Sequence, residues 1–234
     1  MKRTTRILSA LSCLLPFCMA VSAFAQQPAP AARGARPAPQ PIPLFFRENW
    51  KDTPGVPAAQ TFVSNADLEL KLYGPAKSEI EVTNEGLPHI WTGACSQTCA
   101  LALKHKESYV DLTGKAKMRW LTKTSGFHEI RPIVKLADGT WLVGDHVDAD
   151  PFDFNESEFY FSQMRWLKLD IDKVVTKGTI LDKVDLGKVD EIGFTDLMPG
   201  SGHGTGGYSD VAWIEVYGKP VKRDAAEPQA KATK

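Results

Sequence analysis

Hydrophobic and polar residues alternate along most of the chain between residues 44 and 223, with almost no helical period. In the stretch KAKMRWLTK, Met118 and Trp120 fall on one face while Lys117 and Arg119 fall on the other. Alternation of this kind is typical of strands that bury one face and expose the other. The pattern therefore predicts an all-β domain.

Turn residues divide this domain into about ten predicted strands. The stretch IRPIVKLADGTWLVGD predicts a hairpin, because Asp138 and Gly139 stand between two apolar runs. Further strands are predicted in LFFRE, LELKLYG, CALALKH, MRWLKLDI, KVDEIGFTDL and VAWIEVYG. Many short strands in one domain predict a two-sheet antiparallel β-sandwich of the jelly-roll type, in which each sheet has one buried and one exposed face.

Residues 1–25 have the features of a secretory signal peptide. Lys2, Arg3 and Arg6 form a basic start, an apolar run follows, and the sequence AFA at residues 23–25 matches a cleavage site. We therefore expect the mature protein to be secreted or periplasmic in a bacterium.

The remaining chain divides by composition. Residues 26–43 are rich in Pro and Ala and are expected to form a disordered linker, residues 44–223 form the β-sandwich domain, and residues 224–234 are expected to be a disordered tail. No stretch after the signal peptide is long and apolar enough for a transmembrane segment. The mature chain has a net charge near −3 and no basic stripe, which argues against nucleic acid as a partner and favours a neutral or weakly charged one.

Two of the four cysteines, Cys13 and Cys18, lie in the predicted signal peptide, which leaves Cys95 and Cys99. Two cysteines in an oxidising compartment usually pair, so a structural disulfide that closes a tight loop is the first prediction. A redox dithiol or half of a metal site are the alternatives. The C-x-x-x-C spacing leads into a strand, whereas redox motifs favour C-x-x-C before a helix.

Aromatic residues on otherwise polar strand faces are the first candidates for ligand contact. In VAWIEVYG, alternation places Trp213 and Tyr217 on one face with Glu215, and in MRWLKLDI it places Trp166 beside Lys168. An exposed ring can stack on the apolar C–H face of a sugar while nearby polar groups bind the hydroxyls. The alternative is that loops cover these rings, or that the strand is buried on both sides.

Acidic residues and a histidine cluster in GDHVDADPFDFNESEF, where Asp145, His146 and Asp148 stand close together. Carboxylates at this density suit calcium, although the spacing departs from the EF-hand pattern. A solvated acidic loop is the alternative. Asp145 and His146 are therefore candidate ligand-binding residues.

The glycine-rich stretch PGSGHGTGG contains His203 and joins two predicted strands. It lacks the lysine and the following helix of a phosphate-binding loop. Either it lets the chain turn at the rim of the sandwich or it lines a ligand site. His203 is accordingly a candidate rim residue of a binding face and not a predicted catalytic residue.

The stretches YVDLTGKAKMRW, KVDEIGFTDLMPG and SDVAWIEVYGKPV together resemble the galactose-binding-like jelly roll of many carbohydrate-binding modules, here within secreted bacterial proteins. The resemblance implies a β-sandwich that is often non-catalytic and binds sugars through loops or one sheet face. It also implies a structural calcium, for which Glu48 and Glu215 are the ligands suggested by position.

The first functional hypothesis is a secreted, non-catalytic carbohydrate-binding module with a cell-envelope glycan or other carbohydrate as its partner. One alternative is a glycan-processing hydrolase or lyase, whose titratable groups would come from Asp145, His146, Asp148 and His203. The chain has no G-x-S-x-G motif. The other alternative is a structural envelope protein without a small ligand.

Overall fold

The computed structural model describes residues 40–149, 153–197 and 207–223. The predicted signal peptide, most of the predicted linker, the predicted tail and His203 lie outside these residues. No helix in the described part of the chain is long and apolar enough to cross a membrane.

The described residues form fifteen strands and three single-turn 3-10 helices. The strands are β1 (Leu44–Glu48), β2 (Leu68–Tyr73), β3 (Glu81–Asn84), β4 (Pro88–Trp91), β5 (Cys99–His105), β6 (Ser108–Asp111), β7 (Lys117–Ser125), β8 (Glu129–Leu136), β9 (Trp141–Gly144), β10 (Asn155–Tyr160), β11 (Trp166–Asp170), β12 (Val175–Leu181), β13 (Val189–Leu197), β14 (Tyr208–Tyr217) and β15 (Lys219–Lys222). The 3-10 helices are Gln60–Phe62, Lys77–Glu79 and Phe161–Gln163.

The strands pair antiparallel throughout and form two sheets. The six-stranded sheet has the order β10-β7-β14-β4-β3, with β1 pairing alongside β14. The nine-stranded sheet has the order β12-β11-β9-β8-β13-β5-β2, with β6 pairing to β13 and β15 to β6. The predicted all-β, two-sheet antiparallel sandwich is confirmed, and so is the hairpin between β8 and β9, where Gly139 turns with a φ of 88°.

The main hydrophobic core lies between the two sheets and takes alternate residues from each. In β7, Met118 and Trp120 are buried while Lys117 and Arg119 are partly exposed, as the alternation predicts. The largest fully buried side chains come from both sheets and from the loops that join them: Trp120, Phe161, Phe194, Leu68, Ile80 and Ile90. We call the side of each sheet turned away from this core its outer face.

A second apolar cluster covers the outer face of the nine-stranded sheet. Trp141, Val143 and Leu169 pack there with Val174, which belongs to the turn between β11 and β12. The expectation of one exposed face per sheet is therefore wrong for the centre of the nine-stranded sheet. The outer face of the six-stranded sheet keeps the polar character that was expected.

Trp166 is only 3% exposed, so the expectation of a ring on a solvent-exposed face is wrong. Its ring belongs to the main core and stacks on Phe161, with 6.5 Å between centroids and 9° between planes. Leu167 and Leu169 point the other way, into the second cluster. Because β11 is buried on both faces, alternation alone assigned its leucines to the main core and its tryptophan to solvent.

The predicted disulfide is not found, because Cys95 and Cys99 are buried free thiols in this structure. The Cys95 thiol donates to the carbonyl oxygen of Ala76 at 3.8 Å. A hydrogen bond with Cys95, together with burial, raises the pKa of Cys99 well above its ordinary value, so the two thiols are neighbours.

Candidate functional site

The outer face of the six-stranded sheet carries a row of aromatic and acidic side chains along β14. The row consists of Tyr208, Asp210, Trp213, Glu215 and Tyr217 and spans the ten residues of the strand. At about 3.3 Å per residue, it is about 30 Å long. The two halves of the row differ in the residues that surround them.

A β-bulge in β14 brings the row onto one face. Asp210 pairs with Lys123 of β7, and Trp213 pairs with Leu121, so Ala212 between them has no partner in β7. An extra residue of this kind shifts the alternation by one position. Asp210 and Trp213 therefore share the outer face although three positions separate them.

In the C-terminal half of the row, Trp213 lies between two guanidinium groups. Arg47 of β1 lies 4.8 Å from the ring centroid, and Arg119 of β7 lies 5.7 Å from it. Glu215 accepts hydrogen bonds from Arg47 at 2.5 Å, from Arg119 at 2.9 Å and from the Tyr217 hydroxyl at 2.8 Å. This carboxylate thus hydrogen-bonds both cations and the neighbouring tyrosine.

Carboxylates of β10 extend this network to the edge of the sheet. Lys117 donates to Glu158 at 2.8 Å and lies 4.9 Å from the ring centroid of Tyr217. The hydrogen bond from Lys117 lowers the pKa of Glu158, and the same bond raises the pKa of Lys117. Arg119 also pairs with Glu156. The charged groups are thus paired with one another around the rings.

In the N-terminal half of the row, a cavity of about 210 Å³ opens between β3, β4, β14 and β7. Its lining combines two aromatic rings with charged and hydroxyl groups: Glu81, Thr83, Glu85, His89, Trp91, Lys123, Tyr208 and Asp210. Register explains the grouping, because Trp91 pairs with both Glu81 and Asp210.

Asp210 forms the floor of this cavity and is only 1% exposed. Its Oδ2 lies 3.3 Å from the Lys123 ammonium, and its Oδ1 lies 3.7 Å from Nε2 of His89. Oδ1 has no hydrogen-bond partner among the described residues. Burial raises the pKa of Asp210, although the neighbouring His89 and Lys123 act to lower it.

Hydrogen bonding and ring contacts fix the other walls of the cavity. Nδ1 of His89 must donate to the carbonyl oxygen of Leu87, 2.7 Å away, because that oxygen only accepts; Nε2 is therefore directed at Asp210. Lys123 lies 5.1 Å from the centroid of the Tyr208 ring and 5.6 Å from that of Phe154. The cavity is preformed rather than assembled by a ligand.

Of the residues predicted from the sequence, Trp213, Tyr217 and Glu215 lie together on this outer face. Glu48 does not join them, because Arg47 pairs with Glu215 across β1 and β14 and the adjacent Glu48 points to the opposite face.

Glu48 is fully buried and accepts three backbone N–H groups, from Trp50 at 2.8 Å, Ser64 at 2.7 Å and Asn65 at 3.0 Å. Glu48 and Glu215 thus form no common calcium site. The described part of the chain contains no group of three or more His, Cys, Asp or Glu side chains arranged to hold a metal ion.

Asp145 and His146 lie away from this outer face, and the two side chains contact different residues. Asp145 accepts hydrogen bonds from the backbone and side chain of Arg165, which lower its pKa although burial acts to raise it. Nε2 of His146 lies 3.1 Å from Asp148 and 3.3 Å from the hydroxyl of Ser157. A Ser-His-Asp triad needs the acid and the nucleophile on different ring nitrogens, so this group does not have that geometry.

The cavity residues were not predicted from the sequence. The stretch PHIW places His89 and Trp91 on either side of the buried Ile90, a signal that alternation alone contains. The bulge prevented the prediction of Tyr208 and Asp210 from the sequence, because strict alternation assigns them to the same face as the buried Ile214.

A buried polar group anchors the two ends of the glycine-rich stretch. Asp196, near the end of β13, lies 2.8 Å from Nδ1 of His128 and accepts a hydrogen bond from the hydroxyl of Thr92, the residue after β4. Gly207 leads into β14, and a Cβ there would lie 2.4 Å from the His128 ring. These contacts tie the two sheets together at the end of the sandwich that bears the cavity.

No protein-family model matches the sequence, and no curated protein matches it. Solved structures similar to the chain include the family 11 carbohydrate-binding module from Clostridium thermocellum in complex with a β-1,3-1,4-mixed-linked tetrasaccharide (18% identity, 75% of this chain and 91% of that chain, TM-score 0.38). The module of the cellulosomal cellulase Lic26A-Cel5E of Clostridium thermocellum also matches (15% identity, 73% and 88%, TM-score 0.39).

An exo-β-agarase is similar over 70% of this chain (11% identity, TM-score 0.38), but the chain spans only 24% of that enzyme. The similar structures thus include carbohydrate-binding modules, the group whose jelly roll the sequence resembles. The function of this chain is argued below from its own surface.

Proposed function

We propose that the protein is a secreted carbohydrate-binding module and that an extended glycan lies along β14 on the outer face of the six-stranded sheet. The observation that carries the proposal is the row of Tyr208, Trp213 and Tyr217 on one open face, with Trp91 beside its N-terminal end. The second apolar cluster closes the centre of the opposite outer face.

The residues around the row supply what sugar recognition requires. The C–H faces of pyranose rings stack on aromatic side chains, while carboxylates, guanidinium groups and hydroxyls bind the sugar hydroxyls. Glu215, Glu156 and Glu158 are acceptors beside Trp213 and Tyr217, and Arg119 is a donor held by two of them. A row about 30 Å long suits a chain of sugars better than a single one.

Arg47 lies over Trp213, and we propose that it moves aside when the glycan binds. Its side chain is 41% exposed, and although its partner Glu215 is only 7% exposed, that carboxylate keeps its hydrogen bonds from Arg119 and Tyr217 when Arg47 leaves. Arg119 is bound to two carboxylates and keeps its position. Trp213 would then offer one ring face to a sugar.

The test is isothermal titration calorimetry of the residue 40–234 domain against a panel of soluble plant, algal and microbial polysaccharides. Trp213→Ala is expected to weaken binding at least tenfold, since stacking contributes at least about 1.4 kcal/mol. Tyr109→Ala is the matched control: Tyr109 lies in β6 of the other sheet and is stacked by Arg223 at 4.3 Å.

Binding that is unchanged in Trp213→Ala, or equally weakened in Tyr109→Ala, would refute the placement of the glycan on this face. Product release from the same panel would instead support a hydrolase or lyase. A lack of binding to every polysaccharide would favour the structural envelope protein.

A further inference from the structure

The cavity at the N-terminal end of the row has more negative charge than positive. Three carboxyl groups line it, those of Glu81, Glu85 and Asp210, against the ammonium group of Lys123 and the imidazole of His89. Lys123 lies on the Oδ2 side of Asp210, at 3.3 Å. Among the described residues, Glu81 and Glu85 form no side-chain hydrogen bond or ion pair. The cavity therefore has uncompensated negative charge that a bound cation would neutralise.

One carboxylate oxygen of Asp210 is a buried acceptor that a ligand donor could satisfy. Asp210 lines the cavity, and its Oδ1 is buried and has no hydrogen-bond partner among the described residues. A buried acceptor without a donor costs about 1–3 kcal/mol, which a ligand donor at that position would recover. The nearest polar group, Nε2 of His89, is 3.7 Å away, too far for a hydrogen bond.

An aromatic ring completes the surroundings that an ammonium group requires. Trp91 lines the cavity, and its π-face attracts cations, whereas the Tyr208 ring already has Lys123 at 5.1 Å from its centroid. The Trp91 ring lies against Gly93, where a Cβ would be 2.4 Å from it, so the backbone there leaves room for the ring. Glu81 pairs with Trp91 across β3 and β4, which places a carboxylate beside the ring.

We propose that this cavity binds the protonated amino group of an amino sugar, so that the glycan recognised by the outer face carries free rather than acetylated amino groups. The inference rests on the proposed glycan-binding function and specifies its substrate class. An anionic sugar is disfavoured, because its carboxylate would lie among three others. A neutral hydroxyl would satisfy Oδ1 but would leave the charges of Glu81 and Glu85 uncompensated.

The experiment compares binding of a glucosamine hexamer, an N-acetylglucosamine hexamer and a neutral glucan hexamer by isothermal titration calorimetry at neutral to weakly acidic pH. Wild-type protein is expected to prefer the glucosamine hexamer. Glu81→Gln and Glu85→Gln are each expected to weaken glucosamine binding about tenfold and to leave the other two ligands unchanged. Neither substitution removes a side-chain contact within the described fold, so both variants are expected to fold.

Glu107→Gln is the control, since it removes one exposed carboxylate in the β5–β6 turn, outside the cavity. The preference for glucosamine should also weaken as salt is added, because the carboxylates are partly exposed.

Equal binding of the three hexamers, or unchanged glucosamine binding in both glutamate variants, overturns the amino-sugar inference while the glycan-binding function stands. An equal loss in Glu107→Gln also overturns it, because the effect would then come from net charge alone. If no hexamer and no polysaccharide binds, the proposed function itself is wrong.

Discussion

Substitution of Glu48 by glutamine tests whether this buried carboxylate stabilises the fold or binds a metal. Oε1 accepts the backbone N–H groups of Trp50 and Ser64, and Oε2 accepts that of Asn65. Glutamine keeps the shape of the side chain and one of its oxygens. Its NH₂ group would replace Oε2 and face the Asn65 N–H, so that two hydrogen-bond donors would be opposed. The substitution thus removes one hydrogen bond and the charge from the other two.

The size of the effect follows from these three bonds. A hydrogen bond to a charged group contributes about 1.5–3 kcal/mol and a neutral one about 1 kcal/mol, so the two retained bonds lose about 1 kcal/mol each. The Asn65 N–H left without an acceptor is partly buried and costs about 1 kcal/mol more. Glu48→Gln is therefore expected to lower the free energy of unfolding by about 3 kcal/mol and the Tm by about 9 °C.

Urea and thermal unfolding, each with calcium and with a chelator, would measure this loss. Glu69→Gln is the matched control: Glu69 is exposed and pairs only with Lys71 at 3.2 Å, so its loss should cost under about 0.5 kcal/mol. The structural role requires the same deficit for Glu48→Gln in both conditions. A deficit that appears only with calcium would refute this reasoning and restore Glu48 as a metal ligand.

Three further predictions concern residues in the core, the cavity and the strand pairing. Trp166→Ala should lower the free energy of unfolding by about 3–5 kcal/mol without altering glycan affinity of the folded protein, and a variant as stable as wild type would contradict its place in the core. Burial raises the pKa of Asp210 above its ordinary 3.8, so the folded state holds a proton that the unfolded chain has lost. The free energy of unfolding should therefore fall as pH rises from about 4 through the folded pKa of Asp210. Asp210→Asn should flatten that decline when the free energy of unfolding is measured against pH. Gly193→Ala would place a Cβ 1.9 Å from a backbone oxygen of β5 and should abolish folding by circular dichroism, whereas Gly86→Ala has open space and should cost only about 1 kcal/mol for its φ of 95°.

The fold could be predicted from the sequence because apolar residues alternate along the strands and turn residues divide them. The burial of β7 alternates without interruption, and the strand predicted from CALALKH coincides with β5 (Cys99–His105) although its first five residues are all buried. Prediction of the exposed face failed where a strand is buried on both faces. β11 lies between two apolar clusters. Trp166 does alternate with Leu167 and Leu169, but this alternation does not tell which face of the strand is exposed to solvent.

The candidate site could be predicted only in part, for a geometric reason. Trp213 and Tyr217 follow the bulge and obey alternation with the buried Ile214, so their face could be assigned. Asp210 precedes the bulge, whose position depends on pairing with β7, and no local signal in the sequence marks it. Its partner His89 comes from a strand more than a hundred residues earlier, a distance that periodicity cannot bridge.

The bulge makes Ala212 the residue of β14 that can be lost without changing which side chains face solvent. Deleting Ala212 would make the pairs Val211–Thr122 and Trp213–Leu121 consecutive, so that β14 pairs with β7 without interruption. Asp210 and Trp213 would stay on the outer face and Val211 in the core, because the shortened strand then alternates regularly. The same one-residue deletion at a regular position of the strand would instead turn over every residue on one side of it, so the outer face tolerates a change of strand length only at the bulge.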